Sequence, residues 1–133
     1  MLRWVAVALG CITALGMQAL FEAIARGAGV GGQPLASYGA EFLALILAGF
    51  VAGHFAVQWR VLHGAIAASV YILVSATIAA VGEIADAVRT GIGPFGPIDF
   101  MQLALSDFVA LTAASCGGWL AGQPAEPGDL PRS

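Results

Sequence analysis

Lysine is absent from this 133-residue chain. Its basic residues are Arg3, Arg26, Arg60, Arg89 and Arg132, against eight acidic ones, for a formal charge of −3. A chain this short of positive charge offers no patch for a nucleic-acid backbone and no polybasic cluster for anionic lipid. Charge of either sign is scarce, at 10% of residues against roughly 25% in a soluble domain. There is no HExxH motif, no phosphate-binding loop and no serine paired with a histidine at a matching depth. The two cysteines, Cys11 and Cys116, have no Cys or His at metal-ligand spacing and read as small apolar packing residues. No metal or cofactor is expected.

What remains is apolar: 59% of residues are hydrophobic. Trp4 to Phe21, Phe42 to Trp59 and Val61 to Gly82 contain no charged residue, and Phe100 to Gly122 contains only Asp107. At ~1.5 Å rise per residue each run covers the ~30 Å hydrocarbon layer. The expected fold is an all-α, integral membrane four-helix bundle. One domain, 1–122, would hold spans at about 3–26, 37–60, 61–89 and 99–122. The proline-containing tail, 123–133, reads as disordered. The first run is longer than a signal-peptide core, and Met17-Gln18-Ala19 is a poor cleavage site. Gly10-Cys11 fits a lipoprotein box badly, so helix one is expected to be retained.

Local signals place the helix ends. Glu22 and Arg26 are spaced for a pair near the end of helix one, and Asp86 and Arg89 for one on the last turn of helix three. Glycines from Gly27 onward, with Pro34, break the chain after helix one. Ser37 is a candidate N-cap for helix two, with Glu41 in its first turn, and Asp99 a candidate cap for helix four. The link from Gln58 to Leu62 is so short that helices two and three must be antiparallel neighbours.

The two halves of the chain resemble each other. Glu41-Phe42-Leu43-Ala44-Leu45 recurs as Asp107-Phe108-Val109-Ala110-Leu111, and Gly49-Phe50-Val51-Ala52-Gly53 as Gly118-Trp119-Leu120-Ala121-Gly122. Two tandem helical hairpins, related in parallel, are therefore one possible organisation. The competing explanation is shared composition, since the blocks differ in register by three residues. Arg3, Arg60 and Arg132 fall on one face and Arg26 and Arg89 on the other, a bias of three to two that places both termini in the cytoplasm. Trp4, Trp59 and Trp119 share the face of the termini, as interfacial indoles do. The expected location is the cell membrane, specifically the inner membrane, as a multi-pass protein.

Small residues mark the packing faces. In lipid, helices associate where small side chains let backbones approach. Gly49 and Gly53 form a GxxxG pair, and Ala110, Ala114, Gly118 and Gly122 recur at every fourth position of helix four. Ala6, Gly10 and Ala14 do the same in helix one. These faces serve packing within the bundle or association with further copies or a larger membrane complex. The glycine pattern of Gly49 to His54, of Leu62-His63-Gly64-Ala65 and of Gly117 to Gly122 resembles small four-span bacterial membrane proteins of the YrzE type. That resemblance covers helices two to four and implies architecture without an activity. His54 stands where that pattern often has a basic residue.

Chemistry is concentrated in one residue. Asp107 lies ~12 Å along helix four from Asp99, where a charge costs at least ~2.5–3.5 kcal/mol and normally faces protein. It is centred on the small-residue stripe of its helix. Burial there favours an uncharged, proton-donating acid. Counted from the same membrane face, Gln18 and Thr77 reach a similar depth, with Glu83 nearer the surface. These four form the expected intramembrane polar site. His54 and His63 lie at different depths, which argues against joint ligation of a haem and for hydrogen bonding between helices. The leading functional expectation is a structural or accessory subunit or a self-associating bundle. The alternative is a transporter or channel-like protein built on Asp107, and an intramembrane enzyme is a third.

Overall fold

A computed structural model of the protein describes residues 3–30, 33–56, 58–91 and 100–122. The described residues form four helices: α1 (Trp4–Gly27), α2 (Pro34–Phe55), α3 (Arg60–Thr90) and α4 (Phe100–Leu120). All four are long and apolar enough to cross a membrane. The expected cap Asp99 and the tail from 123 lie outside the described residues.

The bundle is sorted by size rather than polarity. Each helix buries one stripe, at Ala6, Val7, Gly10, Cys11 and Ala14 in α1 and at His63, Gly64, Ala67, Ala68 and Tyr71 in α3. The stripe of α2 runs from Ala44 to Gly53, and that of α4 from Ala110 to Gly118. Among the described residues, the largest fully buried side chains are Tyr71, Leu45 and His63. Most of the described leucine, isoleucine, valine and phenylalanine side chains face outward instead, Leu45 and Val7 being buried exceptions. A soluble bundle does the reverse, because water drives bulky apolar groups inward. Lipid supplies no such drive, so close approach of small residues decides the interior.

The helix neighbours follow from these stripes. α2 and α3 each pack against all three other helices, while α1 and α4 do not meet. The two hairpins are thus not equivalent: α2 touches α3, but α4 does not reach α1. The tightest seam joins the parallel helices α2 and α4. A Cβ placed on Gly49 would fall on the Ala114 carbonyl, and one on Gly53 would lie 2.9 Å from the Gly118 Cα. Gly64 of α3 presses on the same Ala114 carbonyl, so three backbones converge there. Gly117 meets the Ile46 carbonyl and Gly118 that of Arg60. Ala110 is buried, whereas Gly122 lies past the helix end in a turn. The glycine seams are therefore spent inside one chain.

The seams occupy one end of the bundle, where α1 and α3 begin and α2 and α4 finish. Side chains lock it. His63, 1% exposed, accepts the Arg3 backbone N–H at Nε2 (3.0 Å) and donates from Nδ1 to the Trp59 carbonyl (3.0 Å). Arg3 donates to the Phe55 carbonyl at the end of α2 (3.2 Å), and Arg60 to the Ala121 carbonyl after α4 (2.8 Å). Each guanidinium thus meets carbonyls that a helix end leaves unpaired, at the negative pole of its dipole. Trp4, Trp59 and Trp119 point outward around this end. Toward the other end the helices stop burying one another. α3, at 31 residues, is ~46 Å long and exposes nearly all of its length beyond Ser75.

Three expectations about ends are corrected. α2 starts at Pro34 rather than Ser37, with Gln33 in the cap position, because proline suits the first turn of a helix. α2 stops at Phe55, and Arg60 opens α3 instead. Glu22 and Arg26 do not pair through their side chains: Arg26 donates to the Glu22 carbonyl (3.3 Å). Asp86 and Arg89 do approach each other, at 4.0 Å on an exposed turn.

Candidate functional site

Where the seams end, the four helices each contribute polar groups to one layer. Helix rise counted from Arg3, Phe55, Arg60 and Leu120 puts Gln18, Glu41, Tyr71 and Asp107 level to within about one turn, ~20 Å from the locked end. Glu22 lies farther along α1. The seam geometry gives the same answer. Gly64 of α3 meets Ala114 of α4, and these helices are antiparallel. Two turns farther on, Tyr71 and Asp107 come level on the faces that Gly64 and Ala114 define.

Hydrogen bonds tie the layer together. The Tyr71 hydroxyl donates to Gln18 Oε1. Gln18 Nε2 in turn donates to Glu22 Oε1 at 3.2 Å. Glu41 of α2 lies beside Tyr71. Glu41 further interacts electrostatically with Asp107 and with Glu22. Gln18, Glu22, Glu41 and Asp107 are all half-buried, and Tyr71 is fully buried.

The proton inventory of this chain is short by one. A tyrosine hydroxyl has a single proton to donate. Gln18 presents its carbonyl oxygen to Tyr71, because its amide nitrogen faces Glu22. That proton is committed to Gln18, so an ionised Glu41 beside Tyr71 gains no donor from it. A proton on Glu41, or a cation beside it, completes the set. Among the described residues no arginine fills that role: Arg3 and Arg60 serve the locked end, Arg26 binds its own helix and Arg89 faces Asp86. Among the described residues, no three His, Cys, Asp or Glu side chains converge as metal ligands.

Two residues expected here are elsewhere. Thr77 is exposed, and its hydroxyl bonds back to the Leu73 carbonyl at 2.7 Å. Glu83 is exposed as well. The reason is the length of α3. Counting inward from Arg89 assumes that the helix ends at the membrane surface, but Glu83 is ~35 Å from Arg60, beyond the hydrocarbon. Counting from the tight α2–α3 turn leads to Tyr71 instead. Glu41 was assigned to a first turn because Ser37 looked like the cap; with α2 starting at Pro34 it stands two turns inside. Of the histidines, His54 is exposed and stacks on Phe50 with ring centroids 6.2 Å apart, while His63 belongs to the locked end.

Beside the layer, α2 and α4 part to form a half-open cleft of about 370 Å³. Its walls are Phe42, Leu45, Leu105, Val109, Ala110 and the ring of Tyr38, with Glu41, Ser106 and the Tyr38 hydroxyl as its polar groups. Against known proteins, no family model, no curated sequence and no solved structure matches the chain.

Proposed function

We propose that this chain is a multi-pass protein of the cell membrane that takes up a proton or a monovalent cation at the Glu41–Asp107 layer. The single observation behind this reading is the hydrogen-bonded chain Glu22–Gln18–Tyr71 with Glu41 beside it, Asp107 in electrostatic reach of Glu41 and no arginine among the described residues engaged there. Packing alone would be better served by neutral partners, because a carboxylate without a positive partner at this depth costs roughly 2.5–3.5 kcal/mol. A proton or cation entering the layer relieves the repulsion among the acids.

The arginine bias of the sequence favours cytoplasmic termini, and in that orientation the layer opens toward the opposite side of the membrane. Access is one-sided, since glycine contacts close the locked end. In this reading the chain works as a self-associating subunit: further copies, present wherever the purified chain is, complete the path across, and lipid covers its bulky outer faces.

Purified protein in vesicles with a trapped pH-sensitive dye tests the reading. Under an imposed sodium or potassium gradient, wild-type vesicles should exchange protons faster than empty ones, and Glu41→Gln should return the rate to the empty level. Wild-type vesicles that behave as empty ones, or a Glu41→Gln variant at full rate, would refute it.

A further inference from the structure

The cleft between α2 and α4 carries a more specific assignment, resting on Glu41 as the cation-accepting group. The geometry points to an organic monocation with an apolar arm, such as an ammonium bearing an aromatic or alkyl group, bound with its charge at Glu41 and its arm along the cleft. Three observations select this class.

The first is the wall chemistry. Apart from Glu41 and Ser106, every lining side chain is apolar or aromatic. An inorganic cation would leave those walls without use. The second is charge. One carboxylate, not neutralised by an arginine, stands on the wall of an otherwise apolar space, and Tyr38 and Phe42 supply ring faces that attract a cation. A lipid tail in the same place would set methylene groups against the carboxylate. The third is depth and size. Glu41 is ~20 Å from the locked end and so ~10 Å below the other surface, too deep for the amine of a phospholipid headgroup. A volume of about 370 Å³ falls at the lower end of the range of small-molecule sites, ~300–1,000 Å³.

The test is equilibrium dialysis of radiolabelled benzyltrimethylammonium against the full chain in lipid-free detergent. Benzenesulfonate, of opposite charge, is the control. The wild-type protein should bind the cation saturably and ignore the anion. Glu41→Gln should weaken binding about tenfold or more, as loss of a charge partner in an apolar site does. Ser106→Phe, which fills the cleft and leaves every acid in place, should weaken it as well. Both variants are compared by helical content and by elution as a single species. Binding that survives Glu41→Gln overturns the inference, as does binding unaffected by Ser106→Phe. Absence of probe binding by a wild-type protein that still exchanges protons in vesicles overturns the inference alone. Absence of both overturns the cation-uptake reading with it.

Discussion

Gly49 and His63 show how much a single position can carry when the interior is built from small residues. The Gly49 Cα faces the Ala114 carbonyl with no room for a methyl group. Gly49→Ala should therefore destabilise the bundle by ~1–3 kcal/mol, the usual penalty for overpacking. Gly53→Leu should do at least as much. Gly16 and Gly82 have open space around them, and alanine there should be neutral or stabilising by up to ~1 kcal/mol. Thermal unfolding in detergent checks the contrast; equal effects at Gly49 and Gly16 would mean that the α2–α4 seam is not as close as described. His63→Leu removes the acceptor for the Arg3 N–H and the donor for the Trp59 carbonyl. A buried partner left unpaired costs ~1–3 kcal/mol, so this variant should melt earlier while keeping proton exchange. Loss of exchange with unchanged melting would place His63 in the chemistry instead of the scaffold.

At the scale of elements, the turn between α2 and α3 sets the register of everything above it. Trp59 sits there in the left-handed region, φ 60°, where a side chain costs roughly 1–2 kcal/mol. In detergent, which imposes no bilayer interface, Trp59→Gly should raise the melting temperature; in vesicles the lost indole anchor should offset part of that gain. A fall in detergent would show that the indole packs on the protein itself. The same turn explains what the sequence disclosed and what it hid. Apolar run lengths and small-residue spacing were enough for four helices and for the buried stripes of Gly49, Gly53, Ala110, Ala114 and Gly118. Asp107 and Gln18 stood out as polar groups at matching depth. Tyr71 and Glu41 did not, because their level depends on where α3 and α2 begin. Hydropathy is blind to a helix such as α3 that continues past the membrane, and Pro34 looked like a breaker when it is a first-turn residue.

For the whole molecule, the account joins a locked end, closed by backbone contacts and helix-end arginines, to an open end whose floor is an acidic layer. Both described termini, Arg3 and Gly122, lie at the locked end. Cysteines introduced at Leu120 and at Gly29 should label from opposite sides of intact cells, with Gly29 reached from outside. Labelling of the Leu120 position from outside would invert the orientation. The central claim, that the layer holds an exchangeable proton, is tested most directly by infrared difference spectroscopy between acidic and neutral buffer on protein in lipid films. The account predicts a protonated-carboxyl band in the wild-type difference spectrum that loses intensity in both Glu41→Gln and Asp107→Asn, beyond the background from exposed acids such as Glu83 and Asp86. Spectra of the two variants that superimpose on the wild type would contradict it.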